Sequence, residues 1–97
     1  MSLSEQQRRE CLRYAVLQWL VHRPSLSFDA AVILERLGKT GLLDFTAEVD
    51  ELAAALAFLT DAGLIASKPH GLGATLFFQA TSAGVLAHER GTLASNP

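Results

Sequence analysis

Residues 61–91, DAGLIASKPHGLGATLFFQATSAGVLAHERG, switch the chain from one apolar period to another and back. Asp61-Ala62-Gly63 closes a helical pattern, and the next residues alternate apolar with polar. Leu64 to Lys68 reads as one short strand and Ala74 to Ala80 as a second, because a period of two sends successive side chains to opposite faces. Between them PHGLG supplies one proline and two glycines, the chemistry of a five-residue hairpin tip. Thr81 or Ser82 then offers a hydroxyl to the first N–H groups of a closing helix. That helix runs to about Glu89, with Val85 and Leu86 inward and Gly91 at its end.

Working back from this hairpin, three helical patterns precede it. The first spans roughly Ser4 to His22 and puts Leu12, Ala15, Val16, Trp19 and Leu20 on one face. Tyr14, Leu17 and Val21 form a second apolar stripe beside it, and Arg8, Arg9 and Arg13 occupy much of the remainder. Pro24 stops the helix, since the residue before a proline avoids the helical region. A second helix is expected over about Phe28 to Leu37, capped by Ser25 or Ser27. Ala30, Ile33, Leu34 and Leu37 face inward, and Gly38 stands at the left-handed C-terminal cap. After the connector GKTG, Leu42 and Leu43 form either a minimal strand or a plug over the core. The third helix, about Phe45 to Asp61, has Asp44 or Thr46 as its cap. Its segment ELAAALAF consists mostly of strong helix formers, with Val49, Leu52, Leu56 and Leu59 on its inner face.

This order of elements, with the DAGLI junction and the Thr81-x-x-Gly84 start of the last helix, resembles the winged helix-turn-helix domain of bacterial and phage transcription regulators. The resemblance covers about residues 8–91. It implies a mainly α fold with a small β-hairpin: three helices, a hairpin wing and a C-terminal helix. Residues 1–91 would form a single domain, with 92–97 as a frayed tail. It further implies that the second and third helices make the helix-turn-helix, that the third is offered to the major groove, and that PHGLG is the wing near the backbone or minor groove. The connector Gly38–Asp44 is longer than the roughly three- to four-residue turn usual in that motif. Fold does not dictate function here, because winged helices also serve as protein-interaction modules.

Composition bounds the alternatives. A chain of 97 residues holds one modest core, and 49% hydrophobic against 19% charged residues argues against wholesale disorder. So apolar a small chain is expected to meet a partner, most simply a second copy of itself. The net charge of −2 does not suit a generic polyanion binder. A single cysteine, Cys11, excludes an internal disulfide and suits a reducing cytoplasm, where it is expected to pack as a small hydrophobe. The polar first ten residues lack the apolar core of a signal peptide, and no apolar run approaches a membrane span, so the expected location is cytoplasmic. His22, His70 and His88 have no metal-ligand spacing. The glycines of the hairpin follow no strand-to-helix junction, and no serine sits in a nucleophile elbow. Neither an enzyme, a metal nor a cofactor is expected.

Charge distribution sharpens the question of DNA. Residues 44–61 carry Asp44, Glu48, Asp50, Glu51 and Asp61 with no Lys or Arg, a net −5, whereas residues 8–39 carry +3. Anions in a first helical turn favour the helix dipole, but they repel the phosphates that supply most non-specific DNA affinity. The expected outward face of the third helix shows Ala47, Asp50, Glu51, Ala54, Phe58 and Asp61, without the Arg, Asn or Gln that read base edges. Phosphate contacts are therefore assigned to Arg36, Lys39, Thr40, Lys68 and His70, with Thr46 adding a hydrogen bond. Tyr14, Leu17, Val21, Phe58 and Phe77 are the candidate contact surface. Phe77 leaves its strand on the side opposite Phe78, and Phe58 among alanines suits either protein docking or the core. Two readings follow. One is a dimeric DNA-binding regulator of transcription. The other is a protein-interaction or assembly module, in a phage or mobile-element setting, that does not bind DNA through its acidic third helix.

Overall fold

The computed structural model describes residues 4–69 and 72–91. The elements are α1 (Glu5–Val21), β1 (Phe28–Asp29), α2 (Ala30–Thr40), α3 (Val49–Asp61), β2 (Ile65–Pro69), β3 (Leu76–Ala80) and α4 (Ser82–Arg90). Three helices, a hairpin and a closing helix follow one another as the sequence implies. The expected tail, 92–97, and His70 lie outside the described residues.

The largest departure is at Phe28. A helix start was expected there, but Phe28 and Asp29 form a strand that pairs antiparallel with Phe78 and Phe77 of β3. Phe28 also packs its ring against Trp19, with centroids 4.5 Å apart. The gain is non-local: β3 has a free edge that two residues can fill, and their pairing delays the helix. Asp29, not Ser25 or Ser27, is therefore the cap, its Oδ1 accepting from the Val32 N–H at 2.8 Å. The other end of α2 shifts too. Gly38 stays inside the helix, and Gly41, at φ 74°, supplies the left-handed cap. Leu42, Leu43 and Phe45 form no strand. They are half-buried and packed on the core, so the plug is the correct alternative.

Helix α3 starts later than expected, at Val49 behind Glu48, so neither Asp44 nor Thr46 caps it. Its inner face holds at Leu52, Leu56 and Leu59 but takes Ala55 in place of Val49. Leu52, Ala55, Leu56 and Leu59 are buried, whereas Val49 is 68% exposed. Ala47, assigned outward, is buried in the segment before the helix. Alanine is nearly neutral between inside and outside, so a helix rich in it carries a weak phase signal.

The sheet order is β1-β3-β2, with β3 in the middle. Ile65, Ser67 and Pro69 lie opposite Ala80, Phe78 and Leu76 on the face turned to the helices. Ala66 and Lys68 lie opposite Gln79 and Phe77 on the other. One core cluster joins α1, α2, α3 and the sheet around Leu12, Leu17, Leu20, Ile33, Leu37, Leu52, Leu59 and Ile65.

The Thr-x-x-Gly start of α4 has a mechanical explanation. Thr81 Oγ1 accepts from the Gly84 N–H at 3.0 Å and donates to the Gly63 carbonyl at 2.7 Å. The Thr81 N–H donates to the Leu64 carbonyl at 3.1 Å. A Cβ on Gly84 would overlap that Leu64 oxygen and crowd Leu17. The motif thus clamps α4 onto the turn between α3 and β2, and only glycine allows so close an approach.

Candidate nucleic-acid interface

The acidity of α3 is partly consumed within the fold. Arg8 Nε donates to Glu51 Oε2 at 2.8 Å, and Arg8 Nη2 donates to Glu51 Oε1 at 2.6 Å, linking α1 to the first turn of α3. Oε1 also accepts the Glu48 N–H at 2.9 Å. The Arg8 guanidinium lies 4.2 Å from the centre of the Phe45 ring, and it reaches the Thr46 carbonyl at 3.5 Å. These bonds, with the Arg8 guanidinium first, hold the Glu51 carboxyl down at about 2 from an ordinary 4.5. The same pairing raises Arg8. Forked Arg–carboxylate geometry of this kind fixes orientation as well as adding attraction.

Two more arginines are engaged by rings. Arg13 stacks 3.6 Å from the centre of Phe58, and Arg23 lies 4.5 Å from the centre of the Trp19 ring. Of the basic stripe read on the first helix, Arg8 and Arg13 thus cover α3 and its connector, while Arg9 is exposed and, among the described residues, bonds only Gln6 at 3.1 Å.

The five proposed DNA contacts among the described residues fall in separate places. Arg36, Lys39 and Thr40 sit near the C-terminal end of α2, exposed. Lys39 makes a long i,i+4 pair with Glu35 at 3.8 Å, and the Thr40 hydroxyl donates to the Leu37 carbonyl at 3.4 Å. Thr46 is exposed in the connector before α3. Lys68 is exposed on the wing face turned away from the helices. The end of α2 nearest the wing is its first turn, tied to β3 through β1. From Ala30 to Lys39 the helix rises about 14 Å. Lys68 and the Arg36–Thr40 group are thus not gathered into one patch. Among the described residues, Arg9, Arg36, Lys68 and Arg90 carry no ion pair or ring contact.

The proposed contact surface is largely used within the chain. Leu17 has no exposure, so it is withdrawn from any interface. Its α1 neighbours are covered because α4 folds back over that side, a placement the hairpin decides. Tyr14 stacks on His88 with ring centroids 5.7 Å apart, and Val21 packs against the core. Phe77 is half-buried on the outer face of the sheet, where its neighbour Gln79 bonds the Pro24 carbonyl at 2.8 Å. Phe58 remains 39% exposed beneath Arg13, neither core nor bare. Cys11 is exposed, contrary to the expectation that it packs as a hydrophobe.

Sequence reading missed one grouping. His22 and His88 meet edge to face at 5.7 Å, although 66 positions apart in the chain. His22 Nδ1 bonds the Gln18 carbonyl, and His88 Nε2 is buried without a hydrogen-bond partner among the described residues. Nothing local in the sequence marks this pair, which the return of α4 creates. Among the described residues no set of three or more His, Cys, Asp or Glu side chains is placed to hold a metal ion.

No family model matches the sequence, and no curated protein matches it. A solved structure of a transcriptional regulator from Clostridium thermocellum is similar over 98% of this chain and 89% of its own, with a TM-score of 0.74 at 18% identity. The chain has the winged-helix fold. In this winged helix, α2 and α3 stand where the helix-turn-helix is expected, and β2–β3 is the wing. The departures are a connector over residues 41–48, where Leu42 and Leu43 plug the core, and a third helix without a cation. Among the described residues no helix is long and apolar enough to cross a membrane.

Proposed function

We propose that this winged helix is a transcription regulator that binds duplex DNA as a dimer, with phosphate contacts from the wing and the end of α2. The observation that carries the reading is the fold, shared along nearly the whole chain with a protein described as a transcriptional regulator. Arg36 and Lys68 support it, being exposed cations without ion-pair partners among the described residues. Lys39, only loosely paired, adds a third. Three such contacts per protomer give weak affinity, so two protomers on a two-fold site are required. Their combined dependence on salt is a log–log slope of about −5.

The test is binding to mixed-sequence duplex followed by fluorescence anisotropy between 50 and 200 mM salt. Affinity should fall about a thousandfold across that range, and the Arg36→Ala/Lys68→Ala variant should retain a slope of only about −2. A flat response, or no binding at the lowest salt, overturns the reading.

A second reading, a protein-interaction or assembly module in a phage or mobile-element setting, is favoured by one feature. The outward side of α3 presents Asp50, Ala53, Ala54, Ala57, Phe58 and Asp61, with no base-reading side chain. Neither reading involves catalysis, a metal or a cofactor.

A further inference from the structure

A groove of about 730 Å³ runs between the first turn of α2, the outward side of α3 and the inner face of the wing. Ala53 and Ala57 of α3 form one wall, and Leu76 and Phe78 of β3 the other. Leu76 is 45% exposed although it sits on the face of the sheet turned to the helices. Asp29 and Asp61 also line the groove, and among the described residues no Lys or Arg does. Asp61 belongs to the last turn of α3, where the helix carbonyls already make the potential negative.

We propose that this groove seats an amphipathic α-helix of a protein partner, apolar along one side and flanked by Lys or Arg. The proposal rests on the protein-contact reading and gives it a surface. Charge selects the occupant: Asp61, at the negative end of α3, repels a phosphate backbone and attracts a cationic rim, while Asp29 is engaged as the α2 cap. Shape selects a helix, because methyl side chains on the α3 wall let a second axis approach to the short end of the usual 8–10 Å range. The partner's apolar side would cover Leu76, as helix-in-groove recognition does. A second copy of this chain is a poor occupant. Its basic helix is α1, whose Arg8 and Arg13 are already held by Glu51 and Phe58.

The experiment uses the full chain, isotope-labelled, with a fluorescein-tagged 14-residue Leu/Lys amphipathic helix as probe. The same peptide with Glu for Lys controls for charge, and an all-polar Lys peptide controls for non-specific attraction. The Leu/Lys peptide should bind, with amide shifts at Ala53, Ala57, Asp61 and Leu76, and neither control should bind comparably. Ala57→Arg should weaken binding at least tenfold, and Leu86→Arg on α4, where Leu86 is 47% exposed and not inward as its sequence suggested, should leave it unchanged, both variants being checked for wild-type circular dichroism.

Binding unaffected by Ala57→Arg, or equal binding of the Glu peptide, overturns the groove. If the peptide binds but its shifts map to Phe58 and Arg13, the protein-contact reading stands and the groove assignment fails. Shifts at the groove residues on adding a 20-base-pair duplex instead of peptide also overturn the assignment to a protein partner.

Discussion

Two glycines inside helices should respond oppositely to the same substitution. Gly38 lies within α2, and a Cβ there meets nothing within 4 Å. Gly38→Ala therefore changes only backbone freedom and helix propensity, and should stabilise by about 0.5–1 kcal/mol. Gly84 lies within α4, and the same methyl would collide with the Leu64 carbonyl oxygen and press on Leu17 Cδ1 at 3.3 Å. The carbonyl cannot yield freely, since it accepts the Thr81 N–H. Overpacking costs about 1–3 kcal/mol, and loss of that hydrogen bond about 1 kcal/mol more. Against a propensity gain of about 1 kcal/mol, Gly84→Ala should destabilise by about 1–3 kcal/mol. Trp19, the sole tryptophan and 3% exposed, reports unfolding by fluorescence in urea. For a domain of this size, Gly38→Ala should raise Tm by roughly 3–6 °C and Gly84→Ala should lower it by at least roughly 5 °C. A Gly84→Ala protein as stable as the parent, or more so, would refute the close approach of α4 to the α3–β2 turn.

Three further outcomes test other parts of the fold. Glu51, held at about 2 in the folded chain against an ordinary 4.5, adds stability that is fully present above the ordinary value and is lost as pH falls toward 2. Glu51→Gln should accordingly flatten the acid limb of the stability curve between about pH 4.5 and 2, and an unchanged limb contradicts the Arg8 pairing. Thr81→Val removes both hydroxyl bonds at the α4 cap and should cost about 1–2 kcal/mol in urea melts, with wild-type stability counting against the clamp. Leu17→Ala should cost about 2–5 kcal/mol while leaving the sedimentation profile of the folded protein unchanged; a weakened dimer at full stability would return Leu17 to the interface.

Much of the architecture is local and so could be read along the chain. Helical periodicity located α1, and the two short alternating runs around a glycine-bearing tip located β2 and β3. Thr81 and Gly91 marked both ends of α4, because a hydroxyl cap and a left-handed glycine act on their own backbone. What failed was non-local or energetically close to neutral. The two-residue strand at Phe28 exists only because β3 has an edge to fill, and that edge is invisible from residues 25–30. Gly38 could cap a helix as well as sit inside one, and the placement of Gly41 decided between them. In α3 the three leucines located the buried face, whereas Val49 and the near-neutral alanines found their sides only when α1 and the wing closed around the helix.

The candidate site divides along the same line. Residue order alone marked the succession of helices and hairpin, from which the resemblance implied the winged arrangement, and the absence of any cation from the third helix, since helix and strand periods are set by backbone geometry and charge is a property of the residues themselves. Tertiary packing decided which charges remain available: Arg8 finds Glu51 across 43 positions, Arg13 covers Phe58, and His88 folds back onto Tyr14. Electrostatic and ring contacts depend on distance in space, and the return of the chain through the hairpin sets that distance.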